Sequence, residues 1–186
     1  MELTYSKREA EKKSQAKALR RSGRIPAVVY QRSKEPESVS IDTKAFTVIL
    51  RNVQQGRLCT SVFSLSDGKG TKKRAILKDI QYNPVNYEVI HLDFEELLHD
   101  NPVNVKIPVE CVGVEDSVGI KLGGFLRQVK RHLRVSCLPK DIPTHFQIDI
   151  REMALYDSKR LKDLEIPKTL RPLDDLNQVV VVIAKR

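Results

Sequence analysis

Apolar and polar residues alternate in short bursts along this chain, and that period decides its class. Ile90, Leu92 and Phe94 fall on one side of a segment, with Val89, His91 and Asp93 on the other. Val103, Val105, Ile107, Val109 and Cys111 alternate with Asn104, Lys106, Pro108 and Glu110. The rhythm returns at Leu133, Val135 and Cys137, and again at Phe146, Ile148 and Ile150. Side chains of a strand point to opposite faces with period two. Such bursts, about ten residues apart and separated by turn residues, predict many short strands.

One segment departs clearly from that period. Asp42 or Thr43 can cap a helix, and Phe46, Ile49, Leu50 and Val53 follow at helical spacing before Gly56 stops it. The predicted helix covers one end of a β domain. Around it, Ile25–Tyr30 reads as a strand with Pro26 near its start, Gln31–Ser38 as a polar loop and Ser38–Asp42 as a short strand. Leu58–Leu65 and Lys73–Tyr82 are strands joined by a hairpin turn holding Asp67-Gly68. Asn83-Pro84 turns the chain into Glu88–Phe94. Short strands, tight turns and one helix point to a small closed or nearly closed barrel.

The pattern breaks at Leu97–Pro102 and restarts, so domains of 1–98 and 99–186 are expected. In the second, Gly119, Gly123 and Gly124 mark turns before a strand at Phe125–Val129, and Arg151–Tyr156 suits a helical turn. Ser158–Ile166 is ambiguous, Leu161 and Leu164 suiting a helical turn and Ile166-Pro167 an extended segment, and Val179–Ile183, apolar on both faces, reads as a central strand. The expected class is mainly β with few helices: a barrel followed by a β-rich, sandwich-like domain.

Charge is concentrated at one end. The chain carries +9 overall, and residues 1–34 hold ten Lys and Arg against Glu2, Glu9 and Glu11, a net of +7. At helical spacing Lys13, Lys17, Arg20 and Arg24 share one face, and Gly23 stops the helix. A helix polar nearly all round is not held by packing, so this arm is expected to be loosely ordered by itself. A basic excess of this size favours a polyanionic partner, against an acidic protein or an anionic membrane surface. Three widely spaced cysteines, Cys59, Cys111 and Cys137, with no CxxC pair, argue against a disulfide scaffold or a zinc site and fit a reducing compartment. With no apolar run of membrane-spanning length and no signal-peptide core, a soluble intracellular protein is expected.

His91 and Asp93, two apart on one strand, are the residues most suggestive of chemistry. They read as an acid–base pair, as a surface pair with local hydrogen bonds, or as groups that read nucleic-acid edges. No nucleophile elbow, phosphate loop or metal spacing accompanies them. Tyr30 ends its strand where a ring could stack on a base or ribose, or simply close a barrel rim. Lys72, Lys73 and Arg74 read as solvent charges. Lys130, Arg131 and Arg134 read as a solvated hairpin or a further RNA contact.

RRSGRIPAVVY (Arg20–Tyr30), KDIQYNPV (Lys78–Val85) and HLDF (His91–Phe94) occur in register, and CLPKDIP (Cys137–Pro143) follows in the second half. Together they resemble the family of bacterial large-subunit ribosomal protein number twenty-five, in its long two-domain form, often called the Ctc or general-stress form. The resemblance spans essentially the whole chain. It implies a six-stranded barrel, shared with an anticodon-binding domain of glutaminyl-tRNA synthetase, that binds the widened minor groove of a 5S rRNA internal loop. It further implies a β-rich second domain that could contact neighbouring ribosomal proteins, a structural role in the cytoplasmic large subunit, and no catalysis, cofactor, metal or membrane. The residues it implies as RNA-binding are the arm's Arg8, the basic cluster Lys13, Lys17, Arg20 and Arg21, the strand-end Tyr30, the mid-strand Gln81, and the pair His91 and Asp93. A stress-linked RNA- or tRNA-binding module acting off the ribosome is the alternative it leaves. The chain departs from the family's pattern at Lys12–Ala16, where small residues and glycine are usual, at Lys17 in place of arginine, and at Gln31 in place of glycine.

Overall fold

Leu3 and Tyr5, each 2% exposed, bring the first strand into the core. The computed structural model describes residues 1–8, 13–31, 34–54, 56–68, 70 and 72–185, with Lys13 placed by its helix position alone. Within Met1–Asn101, one of two compact units, the elements are β1 (Glu2–Lys7), α1 (Lys13–Arg21), β2 (Arg24–Gln31), β3 (Lys34–Asp42), α2 (Thr43–Asn52), β4 (Val62–Ser66), β5 (Lys72–Tyr82) and β6 (Val89–Glu96). The six strands close into a barrel in the order β1-β3-β2-β6-β5-β4. Parallel pairing of β1 with β4 completes the ring, which leaves no free sheet edge.

Inward residues fill the barrel: Ile25, Ala27 and Val29 from β2, Val39 and Ile41 from β3, Leu92 and Phe94 from β6. Phe63 meets Phe94 edge-on, with ring centroids 5.5 Å apart, a geometry aromatic quadrupoles favour. Helix α2 drops Phe46, fully buried, into this core. It starts where expected, because the Asp42 carboxylate accepts a hydrogen bond from Ala45 N at 3.2 Å and satisfies one of the free amide donors of the first turn.

Four expectations need correction here. No strand is expected before Ile25, yet Glu2–Lys7 forms β1, where Leu3 and Tyr5 alternate with exposed neighbours. Residues 34–38, expected as loop, are strand, because β3 pairs with β2 from Lys34 opposite Gln31 to Asp42 opposite Arg24. Leu58–Thr60 is a 3-10 turn, so β4 begins only at Val62. The pairing of β5 and β6 slips between Gln81 and Tyr82, so Val89 packs against the core in place of Ile90. A bulge of this kind turns one residue to the other face.

The second unit, Pro102–Arg186, contains β7 (Val103–Val112), α3 (Val118–Lys121), β8 (Gly124–Gln128), β9 (His132–Cys137), β10 (Phe146–Asp149), β11 (Ser158–Arg160), β12 (Arg171–Pro172) and β13 (Val179–Lys185). Its strands form two sheets, β10-β7-β9-β12 and β11-β13-β8. The central place of β13, apolar on both faces, is the one its sequence predicts. Two details differ. Val118–Lys121 is a short helix where turns were expected, and Arg151–Tyr156 makes non-helical turns with Tyr156 at φ 69°. Gly119 permits the close approach of that segment: a Cβ there would sit 2.8 Å from Ala154 C and 2.9 Å from Ala154 O.

Candidate nucleic-acid interface

The arm is helical over Lys13–Arg21, and Gly23, at φ 76°, turns the chain into β2. Ala16 and Leu19 are half-buried while Lys17, Arg20 and Arg21 remain exposed, so a thin apolar edge seats the helix. Arg20 fixes it further: its Nε donates to Ile90 O at 3.0 Å, a carbonyl seventy residues away. Arg24 does not share the helix face, as the spacing suggested, because the helix has already ended. It starts β2, and its Nη2 donates to Ser6 Oγ at 2.7 Å. Lys17, Arg20, Arg21 and Arg24 nevertheless line one half-open groove of about 470 Å³, with Asn83, Glu88 and Ile90 opposite. Four cations against Glu88 make this a cationic trough. No sequence signal marks Asn83 and Glu88 as trough residues; only the β5–β6 turn brings them there.

Arg8 stands elsewhere. Its backbone N donates to Ser38 O and its Nε to Val39 O, both at 3.0 Å, which anchors the end of β1 to β3. Ser38 pairs with Val28, and Val28 with Asp93, so two strands, β3 and β2, lie between Arg8 and Asp93. Lys13 opens α1, but its side chain lies outside the described residues.

The second surface is the outward face of β5 and β6. Gln81 lies directly opposite His91, and both are accessible. His91 Nδ1 stands 2.6 Å from Asp93 Oδ1. With the carboxylate accepting at Nδ1, the proton is held there and Nε2 is left to an outside partner. Tyr30, half-buried at the end of β2, joins this face: burial raises its pKa, and the carboxylates of Glu95, Asp93 and Asp79 raise it further. Glu95 is itself paired with Lys78 at 2.6 Å. Three carboxylates make this face unsuited to phosphate and suited to hydrogen-bond donors, such as base amino groups and ribose hydroxyls.

Thus Lys17, Arg20 and Arg21 come together in the trough, Tyr30, Gln81, His91 and Asp93 gather on the strand face, and Arg8 stands apart. Lys72 and Lys73 are held in ion pairs, Lys72 with Glu2 at 3.0 Å and Lys73 with Glu37 at 3.0 Å. The three cysteines are free thiols. No helix among the described residues is long and apolar enough to cross a membrane.

These features define a two-unit β protein whose first unit is a closed six-stranded barrel with a cationic flank. Comparison with known proteins places it further. Residues 3–94 match the Ribosomal L25p family, and residues 102–186 match the family described as ribosomal protein TL5, C-terminal domain. The chain is 45% identical to the large ribosomal subunit protein bL25 of Chlamydia abortus, 44% to that of Chlamydia caviae and 43% to that of Chlamydia pneumoniae, in each case over all of both chains. The chain belongs to the bL25 family of large-subunit ribosomal proteins.

Proposed function

We propose that this structural component of the large ribosomal subunit binds 5S rRNA through the barrel, on the cytoplasmic ribosome. The trough of Lys17, Arg20, Arg21 and Arg24, with Lys13 at the start of the same helix, takes the phosphates. The face of Tyr30, Gln81, His91 and Asp93 reads the minor groove of an internal loop, and Arg8 adds a cation at its far side. The observation that carries this reading is the separation of charge on one barrel: cations on the α1 flank, carboxylates on the β5–β6 face. Phosphate contacts position a protein and base-edge contacts specify the sequence. A-form RNA presents its base edges and 2′-hydroxyls in a wide, shallow minor groove, which a strand face can approach. There Asp93 accepts from a base amino group, while its bond to His91 keeps Nε2 turned outward. The protein's own work is recognition, with no bond made or broken.

Filter binding of 5S rRNA over a salt series tests the division of labour. Arg20→Ala is expected to weaken binding to any duplex and to lower the salt slope by about one phosphate's worth. Asp93→Ala is expected to cost about 1–3 kcal/mol on 5S rRNA and nothing on an unrelated duplex. Equal losses on both RNAs would remove the specifying role from Asp93.

A further inference from the structure

The second unit carries a cationic surface with an unusual arrangement. On the outward side of the β10-β7-β9-β12 sheet, Lys106 lies directly opposite Arg134. Like charges placed directly opposite one another across an antiparallel pair are destabilising. Pro108 lies opposite His132 in the row on one side, and Ser136 opposite Arg171 in the row on the other. Lys106, Lys130, His132, Arg134 and Asp174 line one open basin of about 360 Å³.

Asp174 gives the basin its form. Its side chain is 2% exposed, and both oxygens are engaged. Oδ1 accepts from Arg134 Nε at 2.8 Å and from Nη2 at 2.7 Å, while Oδ2 accepts from Arg134 N at 3.0 Å and from Lys130 Nζ at 2.9 Å. Lys130 also donates to Gln178 Oε1. One saturated carboxylate therefore holds two cations in place and neutralises only one. Lys106 has no carboxylate partner among the described residues. A merely solvated basic hairpin would leave its side chains free to spread; here two of them are tethered side by side, with a third charge facing them.

We propose that this basin is an RNA phosphate site, formed by Lys106, Lys130, His132 and Arg134 on the Asp174 anchor and continued by Arg171, and separate from the barrel's interface. Successive rows on one face of a strand are about 6.6 Å apart, close to the separation of neighbouring phosphates along one RNA strand. His132, Arg134 and Arg171 occupy three successive rows. The site presents fixed donors to a line of phosphates, and an incoming phosphodiester relieves the Lys106–Arg134 repulsion. Burial, and after it the charges of Lys106 and Arg131, hold the His132 pKa below its ordinary value.

NMR on the isotope-labelled full chain tests the site, because its readout separates basin from barrel. The probes are inorganic phosphate, a twelve-base-pair RNA duplex without an internal loop, and polyglutamate. Phosphate and duplex are expected to shift the amide signals of Lys106 and Arg134 and the ring signals of His132. In the Lys106→Gln, Arg171→Gln double variant these shifts should vanish, and the salt slope for the duplex should fall by about one to two. Both side chains are exposed, so the variant should fold. As a second measurement, phosphate should raise the melting temperature of the wild type more than that of Lys106→Gln. The proposal is overturned if the duplex shifts only barrel signals. It is overturned equally if polyglutamate moves the basin signals as strongly as RNA does, which would assign the face to an acidic protein.

Discussion

Replacing Asp174 with Asn keeps the shape of the anchor and removes its charge. In the native protein burial pushes the Asp174 carboxyl upward, but the hydrogen bonds from Arg134 N, Lys130 and the Arg134 guanidinium outweigh it and hold the pKa at about 2. An ordinary aspartate titrates at about 3.9, and the gap is worth roughly 2–3 kcal/mol. Because the folded-state value is depressed, this stability is fully present above the unfolded value. It is lost as pH falls from about 4 through about 2. Removing one partner of a fully buried ion pair costs roughly 3–5 kcal/mol. Here the Arg134 side chain is 63% exposed and keeps water when its partner is gone, so a loss of about 2 kcal/mol is expected at neutral pH. Native-state hydrogen exchange of the slowest amides in β9 and β13 measures it in the intact chain, where a single global unfolding transition is not assured. Wild type and Asp174→Asn should differ by that amount at pH 6 and converge near pH 2. Parallel profiles from pH 6 to pH 2 would refute the assignment of the acid-sensitive stability to Asp174.

Two further substitutions probe the packing of the units. Phe94→Ala removes a fully buried ring together with its edge-on contact to Phe63; a loss of about 4 kcal/mol is expected, read as earlier urea unfolding of the barrel. Gly119→Ala drives a Cβ into the Ala154 backbone at 2.8 Å and Ile183 Cγ2 at 2.9 Å. Overpacking of this kind costs about 1–3 kcal/mol, so faster hydrogen exchange is expected in β13 with the barrel amides unchanged.

Much of the fold could be read from local pattern. Helix α2 was legible because its cap at Asp42 and the apolar Phe46, Ile49 and Leu50 act through neighbouring turns; it ends at Asn52, with Val53 already extended, before the Gly56 expected to stop it. The hairpin around Asp67-Gly68 and the doubly apolar β13 were legible for the same reason. The site was legible in part. His91, Asp93 and Gln81 share a face because strand period alone puts the first two together, and antiparallel pairing adds the third. Asn83 and Glu88 as trough walls, and Arg24 as a trough residue that starts a strand, were not legible, because α1 meets the β5–β6 turn only in the folded barrel.

The amino-acid order by itself determined the class, the turns, the polarity of the chain's charge and the residues able to form strands. Tertiary structure decided which of those residues became strand and which charges met. Lys34–Ser38 is a polar stretch with weak strand preference, yet it is strand because it pairs with β2, and Glu2–Lys7, whose alternation is only two apolar residues long, is held between β3 and β4. Arg20 reaches Ile90 across seventy residues and Arg134 reaches Asp174 across forty. Backbone pairing and ion pairing depend on the distance between groups in space, and in a closed barrel that distance is set by the whole ring of strands.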